Sequence, residues 1–185
     1  MTERAAQTGT PRPARGDVLE LEVGSLAHGG RGVARSNGYV VFVSGGLPGD
    51  RVRAELIRAK RDFGEAQAIE LLRPSPDRVP YACEHDGQPC PGASWQALAY
   101  EHQLAAKQAL VDEALRRIGG LDGFELEAIE RAVELWGYRN KLEYSFGERD
   151  GELALGFHAR GRWDLVLDAA DCRLASPAQN RAWSG

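Results

Sequence analysis

The first part of the chain alternates apolar and polar positions with the two-residue period of half-buried β-strands. Asp17–Val23 shows this alternation, Tyr39–Val43 is a continuous apolar run, and Asn37-Gly38 in front of that run is a strong hairpin signal. Two more strands are predicted from the apolar positions Val52, Ala54, Leu56 and Ala66, Ala68, Ile69, Leu71. Five short strands with glycine-rich turns within residues 16–74 predict a small closed β barrel that is OB-fold-like.

The periodicity becomes helical after Pro74-Ser75-Pro76, which we interpret as a linker. Apolar residues recur on one helical face between Trp95 and Ile118, and Gly119-Gly120 ends this predicted helix. Four strand candidates come next, at Leu126–Leu135, Lys141–Phe146, Leu153–Phe157 and Trp163–Leu167. Consecutive hairpins predict an antiparallel sheet with the one long helix packed on it, so residues 80–185 form an α+β domain. Side chains expected in its core are Trp95, Trp136 and Trp163.

Composition is that of an ordinary globular protein, with 43% apolar and 27% charged residues. No stretch approaches the roughly 18 apolar residues that a membrane span needs. Residues 1–15 carry three arginines without the apolar segment of a secretory signal, so we expect a disordered arm there. Three cysteines are too few, and odd in number, for a disulfide-stapled secreted domain, which predicts a cytoplasmic protein.

A net charge of −4 argues against a nucleic-acid partner, but the charge is unevenly distributed. One basic run, interrupted only by Glu55, contains Arg51, Arg53, Arg58, Lys60 and Arg61. Such a run is typical either of phosphate contacts or of the solvated face of an edge strand, and charge alone leaves both open. His28 and Arg31 fall in the first predicted hairpin, where OB-type loops commonly bind their ligands.

Motifs of a complete transferase are missing from these residues. Gly29-Gly30-Arg31-Gly32 lies between two predicted strands with no helix after it, so it is a hairpin and not the loop of a βαβ cofactor site. The sequence also contains no G-x-x-x-x-G-K-[ST], H-E-x-x-H or G-x-S-x-G motif.

The segment GDVLELEVGSLAHGGRGVARSNGYVVFVSGGLPGDRVRAEL resembles a TRAM domain, the OB-like RNA-binding module. Residues 80–180 resemble the central domain of the bacterial RNA uracil-C5 methyltransferases, which modify ribosomal or transfer RNA. The motifs that carry this resemblance are a cysteine loop at Cys83–Gly92, Trp95-Gln96, Tyr100, Gln103-Leu104, Lys107, Arg117-Ile118-Gly119-Gly120, Tyr138-Arg139-Asn140-Lys141, Leu155-Gly156-Phe157-His158 and Cys172.

The resemblance implies a methyl donor, S-adenosylmethionine, bound by a further C-terminal domain whose cysteine attacks C6 of a uridine that has left its stack. None of that machinery is recognisable in residues 1–185, so we expect the RNA-recognition portion of such an enzyme, a fragment or remnant that is not catalytically complete alone. The alternative is a freestanding RNA-binding or interaction module without catalytic activity.

Relatives with an iron–sulfur cluster carry Cys-x5-Cys-x2-Cys in the loop and a distant fourth cysteine. Here six residues separate Cys83 from Cys90, the third position is Ala93, and Cys172 matches the fourth. The resemblance therefore implies three thiolate ligands and one missing donor.

Three interpretations of these cysteines remain open. A [4Fe–4S] cluster can persist on three thiolates if another group, such as His85 or Asp86, takes the last iron. A zinc site is the second interpretation, although the spacing fits no common zinc finger. The third is that the cysteines are small buried packing residues.

Tyr138-Arg139-Asn140-Lys141 is the remaining candidate. On a strand, Arg139 and Lys141 would share one face and present two cations to a phosphate. The alternative is an ion pair with Glu143 on the same face. The resemblance implies a position near the substrate, so Arg139, Asn140 and Lys141 are expected to contact RNA. His158 is expected to be an ordinary surface histidine.

Overall fold

The computed structural model describes residues 12–85, 87–149, 151–169 and 171–184. The disordered arm predicted at residues 1–15 falls mostly outside these ranges. The chain divides between Arg78 and Val79 into two compact units, which we call the barrel unit and the second unit. Within the described ranges, no helix combines the length and the apolar character needed to cross a membrane.

The barrel unit consists of five strands that close on themselves. They are β1 (Val18–Leu26), β2 (Gly32–Ser36), β3 (Tyr39–Ser44), β4 (Arg51–Ala59) and β5 (Phe63–Arg73). Neighbours are in the order β1-β2-β3-β5-β4, the β3–β5 pair is parallel, and β4 returns to pair with β1. Alternate strand positions fill the interior with Leu21, Val23, Ala34, Val41, Val43, Val52, Ala54, Leu56 and Ala66. The predicted barrel is confirmed.

The β2–β3 turn adopts the conformation that its sequence predicts. Asn37 has a φ of 49° and Gly38 a φ of 84°. A type I′ turn requires positive φ at both central residues, which asparagine and glycine tolerate best. This short turn fixes the register in which Ser36 faces Tyr39.

A buried carboxylate attaches the segment after β5 to the barrel. Asp50 is fully buried and accepts hydrogen bonds from the backbone amides of Leu47 at 2.7 Å and Ser75 at 2.9 Å. Arg78 donates to both carboxylate oxygens, each at 2.7 Å. Four donors therefore satisfy a charge that would otherwise be costly to bury.

The second unit combines short antiparallel sheets with one long helix, which confirms the predicted elements, while packing of the helix on the sheet stays a prediction. Its elements are β6 (Glu84–His85), β7 (Gln88–Pro89), α1 (Tyr100–Glu113) with a π-helical continuation at Ala114–Ile118, β8 (Ser145–Arg149), β9 (Glu152–His158), β10 (Val166–Asp168) and α2 (Pro177–Ser184). β6 pairs with β7, and the larger sheet has the order β10-β9-β8. The helix begins at Tyr100 and not at the predicted Trp95, because residues 95–98 form a turn closed by the Leu98 amide and the Trp95 carbonyl.

The strand predicted at Leu126–Leu135 is wrong. This segment lies along α1, where helix side chains take the place of a neighbouring strand. The Ile129 amide donates to Gln108 at 3.0 Å, and the Ala132 amide donates to the Tyr100 hydroxyl at 2.8 Å. The segment pairs with a helix surface, which an apolar alternation cannot distinguish from a sheet.

Two further expectations about the second unit need correction. β8 begins only at Ser145, so the Tyr138–Lys141 motif is irregular backbone apart from a bridge between Arg139 and Ala175. Trp163 is 85% exposed and is not a core residue. Trp136 does pack, partly buried, against the apolar cluster that contains the three cysteines.

Candidate functional site

Two of the five residues in the predicted basic run, Arg51 and Arg53, form ion pairs with glutamates on the outside of the barrel. We call this set the arginine–glutamate ladder; its members are Glu20, Glu22, Arg51, Arg53, Glu70 and Arg73. Glu20 accepts from Arg51 at 2.8 Å and from Arg53 at 3.3 Å, and Arg53 also pairs with Glu70. Hydrogen bonds from the two arginines lower the pKa of Glu20. Three arginines thus face three glutamates, and this surface has little net charge.

Two further residues of the run, Arg58 and Lys60, belong to a different surface. We call it the barrel patch, and its members are Arg35, Phe42, Arg58, Lys60 and Phe63. Pairing places Arg35 opposite Val40 and Val40 opposite Phe63, while Glu65 is opposite both Phe42 and Arg58. The Lys60 amide donates to the Phe63 carbonyl at 2.9 Å, which places Lys60 beside Phe63. Since neighbours across a sheet share a face, these side chains point outward together.

Aromatic rings lie at the centre of the barrel patch and cations surround them. The rings of Phe42 and Phe63 meet edge to face, with centroids 5.5 Å apart. The Arg31 guanidinium lies 5.1 Å from the Phe42 centroid and pairs with Glu65 at 3.2 Å. Three exposed cations lie on this face, namely Arg35, Arg58 and Lys60. None of them forms an ion pair with any residue that the structure describes.

The sequence pattern pointed to Arg58 and Lys60 but missed Arg35 and the two phenylalanines. Arg61, the last residue of the predicted run, reaches Asp62 only at 4.0 Å, and both side chains are more than 80% exposed. The signal for Arg35 was available, because it alternates with the buried Ala34 along β2. His28 is exposed in the β1–β2 turn.

All three cysteines meet inside the second unit. Cys83, Cys90 and Cys172 are buried and form no disulfide, and they belong to one apolar cluster. The side chain of Ala93 packs against this cluster, at the position where relatives carry a thiolate. Metal binding by Cys172 and the loop cysteines stays a prediction, but the fold does bring the three thiols together.

A histidine joins these thiols. The Sγ of Cys83 is 3.4 Å from the Nε2 of His85, which is itself only 6% exposed. One donor atom from each of Cys83, His85 and Cys90 lies within 4.8 Å of the other two. The β6–β7 hairpin produces this grouping, because the Cys90 amide bonds back to the Cys83 carbonyl at 3.1 Å. Asp86, the other substitute ligand considered from the sequence, lies outside the described residues.

Two amide side chains hold the cysteine backbones in place. Gln96 accepts from the Cys83 amide at 2.8 Å and donates to the Cys83 carbonyl at 2.7 Å. Asn180 of α2 makes the same pair of bonds to Cys172, at 3.2 Å and 3.0 Å. These paired bonds fix both cysteines that enter the cluster from distant parts of the chain.

Burial governs the protonation of Cys90. It raises the pKa of the Cys90 thiol to about 11, with a further contribution from the neighbouring Cys83 and Cys172. A buried thiol with a raised pKa stays protonated and is a poor nucleophile near neutral pH. The arrangement therefore favours ligand or packing roles over nucleophilic catalysis by Cys90.

The Tyr138–Lys141 motif lies beside the cysteine loop. Arg139 donates to the carbonyl of Gly92 at 3.3 Å. Lys141 pairs with Glu143 at 2.7 Å, and both side chains are about 80% exposed. Asn140 and Lys141 line a shallow cleft together with Gln179. The ion pair considered from the sequence is thus present, although not on a strand.

Comparison with known proteins supports the resemblance. Residues 13–69 match the TRAM domain. The chain is 39% identical over 166 residues to an uncharacterized RNA methyltransferase of Thermosynechococcus vestitus, covering 90% of this chain and 36% of the relative. It is 34% identical over 160 residues to one of Halalkalibacterium halodurans, covering 86% of this chain and 34% of the relative.

A solved structure agrees with these relatives. The crystal structure of Pyrococcus abyssi tRNA (uracil-54, C5)-methyltransferase in complex with S-adenosyl-L-homocysteine matches 88% of this chain and 34% of that one, with a TM-score of 0.59 and 25% identity. The predicted resemblance is confirmed: the chain carries a TRAM domain and is similar to proteins named RNA methyltransferases and to a tRNA (uracil-54, C5)-methyltransferase. It spans about a third of the length of the curated relatives it matches.

The four-thiolate cluster known from some relatives does not fit the donors present. The chain has only three cysteines, and one of the four thiolate positions holds the apolar Ala93. Each iron of a [4Fe–4S] cluster normally takes its own thiolate, so the ligands are separated by the width of the cluster. Cys83, His85 and Cys90 instead converge within 4.8 Å, a spacing that suits one small ion.

Proposed function

We propose that this chain is the RNA-binding and substrate-recognition portion of an S-adenosylmethionine-dependent RNA uridine C5-methyltransferase. The TRAM match and the named relatives support the class, and the similarity to the Pyrococcus abyssi enzyme supports uridine as the target base. S-adenosylmethionine would supply the methyl group to the whole protein. This chain's part is to bind and orient RNA, which the family resemblance gives as ribosomal or transfer RNA.

The barrel patch is the observation that carries RNA binding. Single-stranded nucleic acids bind where aromatic rings stack bases and cations neutralise phosphates. Phe42 and Phe63 supply the rings, while Arg35, Arg58 and Lys60 supply cations that form no ion pair within the described part of the chain. Glu65, the carboxylate on the same face, pairs with Arg31. The net charge of −4 does not oppose this function, because the acidic residues are concentrated elsewhere.

Other predicted contacts are secondary in this proposal. Arg51 and Arg53 would have to release Glu20 before binding phosphate, so we expect them to contribute less. His28, Arg31 and Arg61 border the barrel loops and extend the surface. Contacts proposed for the second unit are Arg139, Asn140 and Lys141. A cytoplasmic location is proposed from the small and odd number of cysteines.

Binding is tested with a fluorescein-labelled, uridine-containing single-stranded RNA, with anisotropy measured over a range of salt concentrations. Arg35, Arg58 and Lys60 contacting three phosphates predict a log–log salt slope of about −2, since each contact contributes about −0.7. An Arg58→Glu/Lys60→Glu variant should lose affinity roughly tenfold or more and reduce the slope by about 1.4.

The matched control is Arg51→Glu/Arg53→Glu. Both double variants change the net charge by −4, from −4 to −8, so long-range electrostatics alter equally. A smaller loss for the control supports the barrel patch. Equal losses, or a larger loss for the control, would contradict it. Methyl transfer is tested separately, by incubating the chain, and any longer product of its gene, with RNA and radiolabelled S-adenosylmethionine.

A further inference from the structure

The second unit contains a compact set of metal-binding side chains that the RNA-binding function does not use. Cys83, His85, Cys90 and Cys172 are each no more than 6% exposed. Soft thiolates with one imidazole form the donor set that zinc prefers in structural sites, where four ligands surround the ion tetrahedrally. We propose that these four residues bind a single structural zinc ion.

Distances between the donor atoms support a mononuclear site. With Zn–S near 2.3 Å and Zn–N near 2.0–2.1 Å, tetrahedral ligands lie about 3.4–3.8 Å from one another. Cys83 Sγ and His85 Nε2 are 3.4 Å apart, and Cys90 joins them within 4.8 Å. Cys172 lies in the same apolar cluster but is not one of the three donors that converge within 4.8 Å, so we assign it the fourth position from the packing of this cluster and not from a distance. Ala93 offers no ligand atom at the third position, and His85 supplies a nitrogen ligand in its place. The site would therefore hold a zinc ion where the resemblance implies an iron–sulfur cluster.

The surroundings have the features of a metal-site second shell. Ligands in such sites are oriented by hydrogen bonds from residues that do not touch the metal. Gln96 holds the backbone of Cys83 through two hydrogen bonds, and Asn180 holds that of Cys172 in the same way. Without a metal, these bonds would only align thiols within an apolar cluster.

A zinc ion here would connect the two ends of the second unit. Cys83 and Cys90 precede α1, whereas Cys172 lies a few residues before α2. This unit leaves large apolar side chains exposed, among them Ile118 at 81% and Phe146 at 72%, so its own core is small. Metal binding contributes folding free energy directly in such small units.

The test uses the whole chain, purified from cells supplied with both iron and zinc, with metals and acid-labile sulfide quantified. We expect stoichiometric zinc and no sulfide. X-ray absorption at the zinc edge should show three sulfur ligands near 2.3 Å and one nitrogen near 2.0–2.1 Å. Iron with sulfide, no bound metal after reconstitution with zinc, or a different ligand count would overturn the proposal.

Variants test the individual ligands by competition with a chromogenic chelator. Gln96→Ala should weaken zinc binding about 10–100-fold, as loss of a second-shell partner does, and His85→Ala should weaken it further. His158→Ala, which removes an exposed histidine of the same unit, should bind zinc normally. His85→Ala with wild-type affinity would contradict the site. If that variant does not fold, the absorption spectrum of the unaltered protein still decides.

Cys172 is tested by cobalt substitution. Tetrahedral cobalt gives visible ligand-field bands and thiolate charge-transfer absorption that grows with the number of sulfur ligands. Cys172→Ser should reduce the charge-transfer intensity by about a third, since two of three thiolates remain. Unchanged intensity would exclude Cys172 as a ligand. RNA binding by the barrel patch is measured independently, so either proposal can fail alone.

Discussion

Replacing Arg78 by methionine should destabilise the barrel unit far more than the loss of a surface ion pair would. The carboxylate of Asp50 is completely buried, and the Arg78 side chain is only 14% exposed. Methionine retains much of the apolar stem of arginine but cannot donate either hydrogen bond. The variant therefore leaves a buried negative charge without its counterion, while the backbone around it is unaltered.

The expected loss depends on what remains bound to Asp50. Removing one partner of a buried ion pair typically costs about 3–5 kcal/mol. Because the amides of Leu47 and Ser75 still donate to this carboxylate, we expect a loss at the lower end of that range, about 3 kcal/mol. For a unit of this size, that loss lowers the melting temperature by roughly 12–24 °C. Arg78→Lys should give an intermediate loss of stability, since lysine keeps the positive charge but cannot form the bidentate pair of hydrogen bonds.

The matched control is Arg73→Met, which breaks an exposed pair with Glu22 whose side chains are 65% and 71% exposed. That pair should contribute only about 0–1 kcal/mol. Amide hydrogen exchange of peptides from β1–β5 measures the effect, because all four tryptophans lie after residue 78 and fluorescence does not report on the barrel. If Arg78→Met and Arg73→Met differ by less than about 1 kcal/mol, the reasoning about the buried charge is refuted.

Two further predictions concern the second unit. A Cβ at Gly156 would overlap the Leu167 carbonyl oxygen, so Gly156→Ala should lower the free energy of unfolding by about 1–3 kcal/mol. Chemical denaturation followed by tryptophan fluorescence measures this loss. An unchanged free energy of unfolding would show that β9 and β10 can separate freely. Arg162 lowers the pKa of Asp164 to about 2 from 3.8, so this exposed pair stabilises the fold above the ordinary pKa and is lost as the pH falls towards 2. Carboxyl NMR should show that value, and Arg162→Gln should raise it; an unchanged pKa in the variant would exclude Arg162 as the cause.

Local pattern was sufficient where neighbouring residues decide the structure. Asn37-Gly38 forms the expected turn because its positive φ angles depend on these two residues alone. The alternation in β1–β5 correctly divides inward from outward positions, since a strand exposes its two faces in turn. The apolar pattern at Leu126–Leu135 wrongly predicted a strand, because this segment pairs with side chains of α1 and not with another strand.

The candidate sites depended on contacts between distant residues. Arg51 and Arg58 are equivalent in the sequence, yet β1 brings Glu20 into an ion pair with Arg51. Arg58 forms no ion pair in the part of the chain that the structure describes, because the Glu65 opposite it pairs with Arg31. The sequence offered His85 and Asp86 alike as substitute ligands, and only the β6–β7 hairpin shows that His85 lies 3.4 Å from Cys83. The amide pairs made by Gln96 and Asn180 likewise join residues that no motif connects.

Sequence pattern alone predicted the barrel, the order of its strands along the chain, the three cysteines and the resemblance to RNA uracil methyltransferases. These features depend on periodicity, turn residues and motif order, which are properties of neighbouring positions. Tertiary structure decided which cations remain unpaired on the barrel and which side chains gather around Cys83. Charge compensation and ligand geometry depend on distances across the fold, and those distances are set by strand pairing and packing.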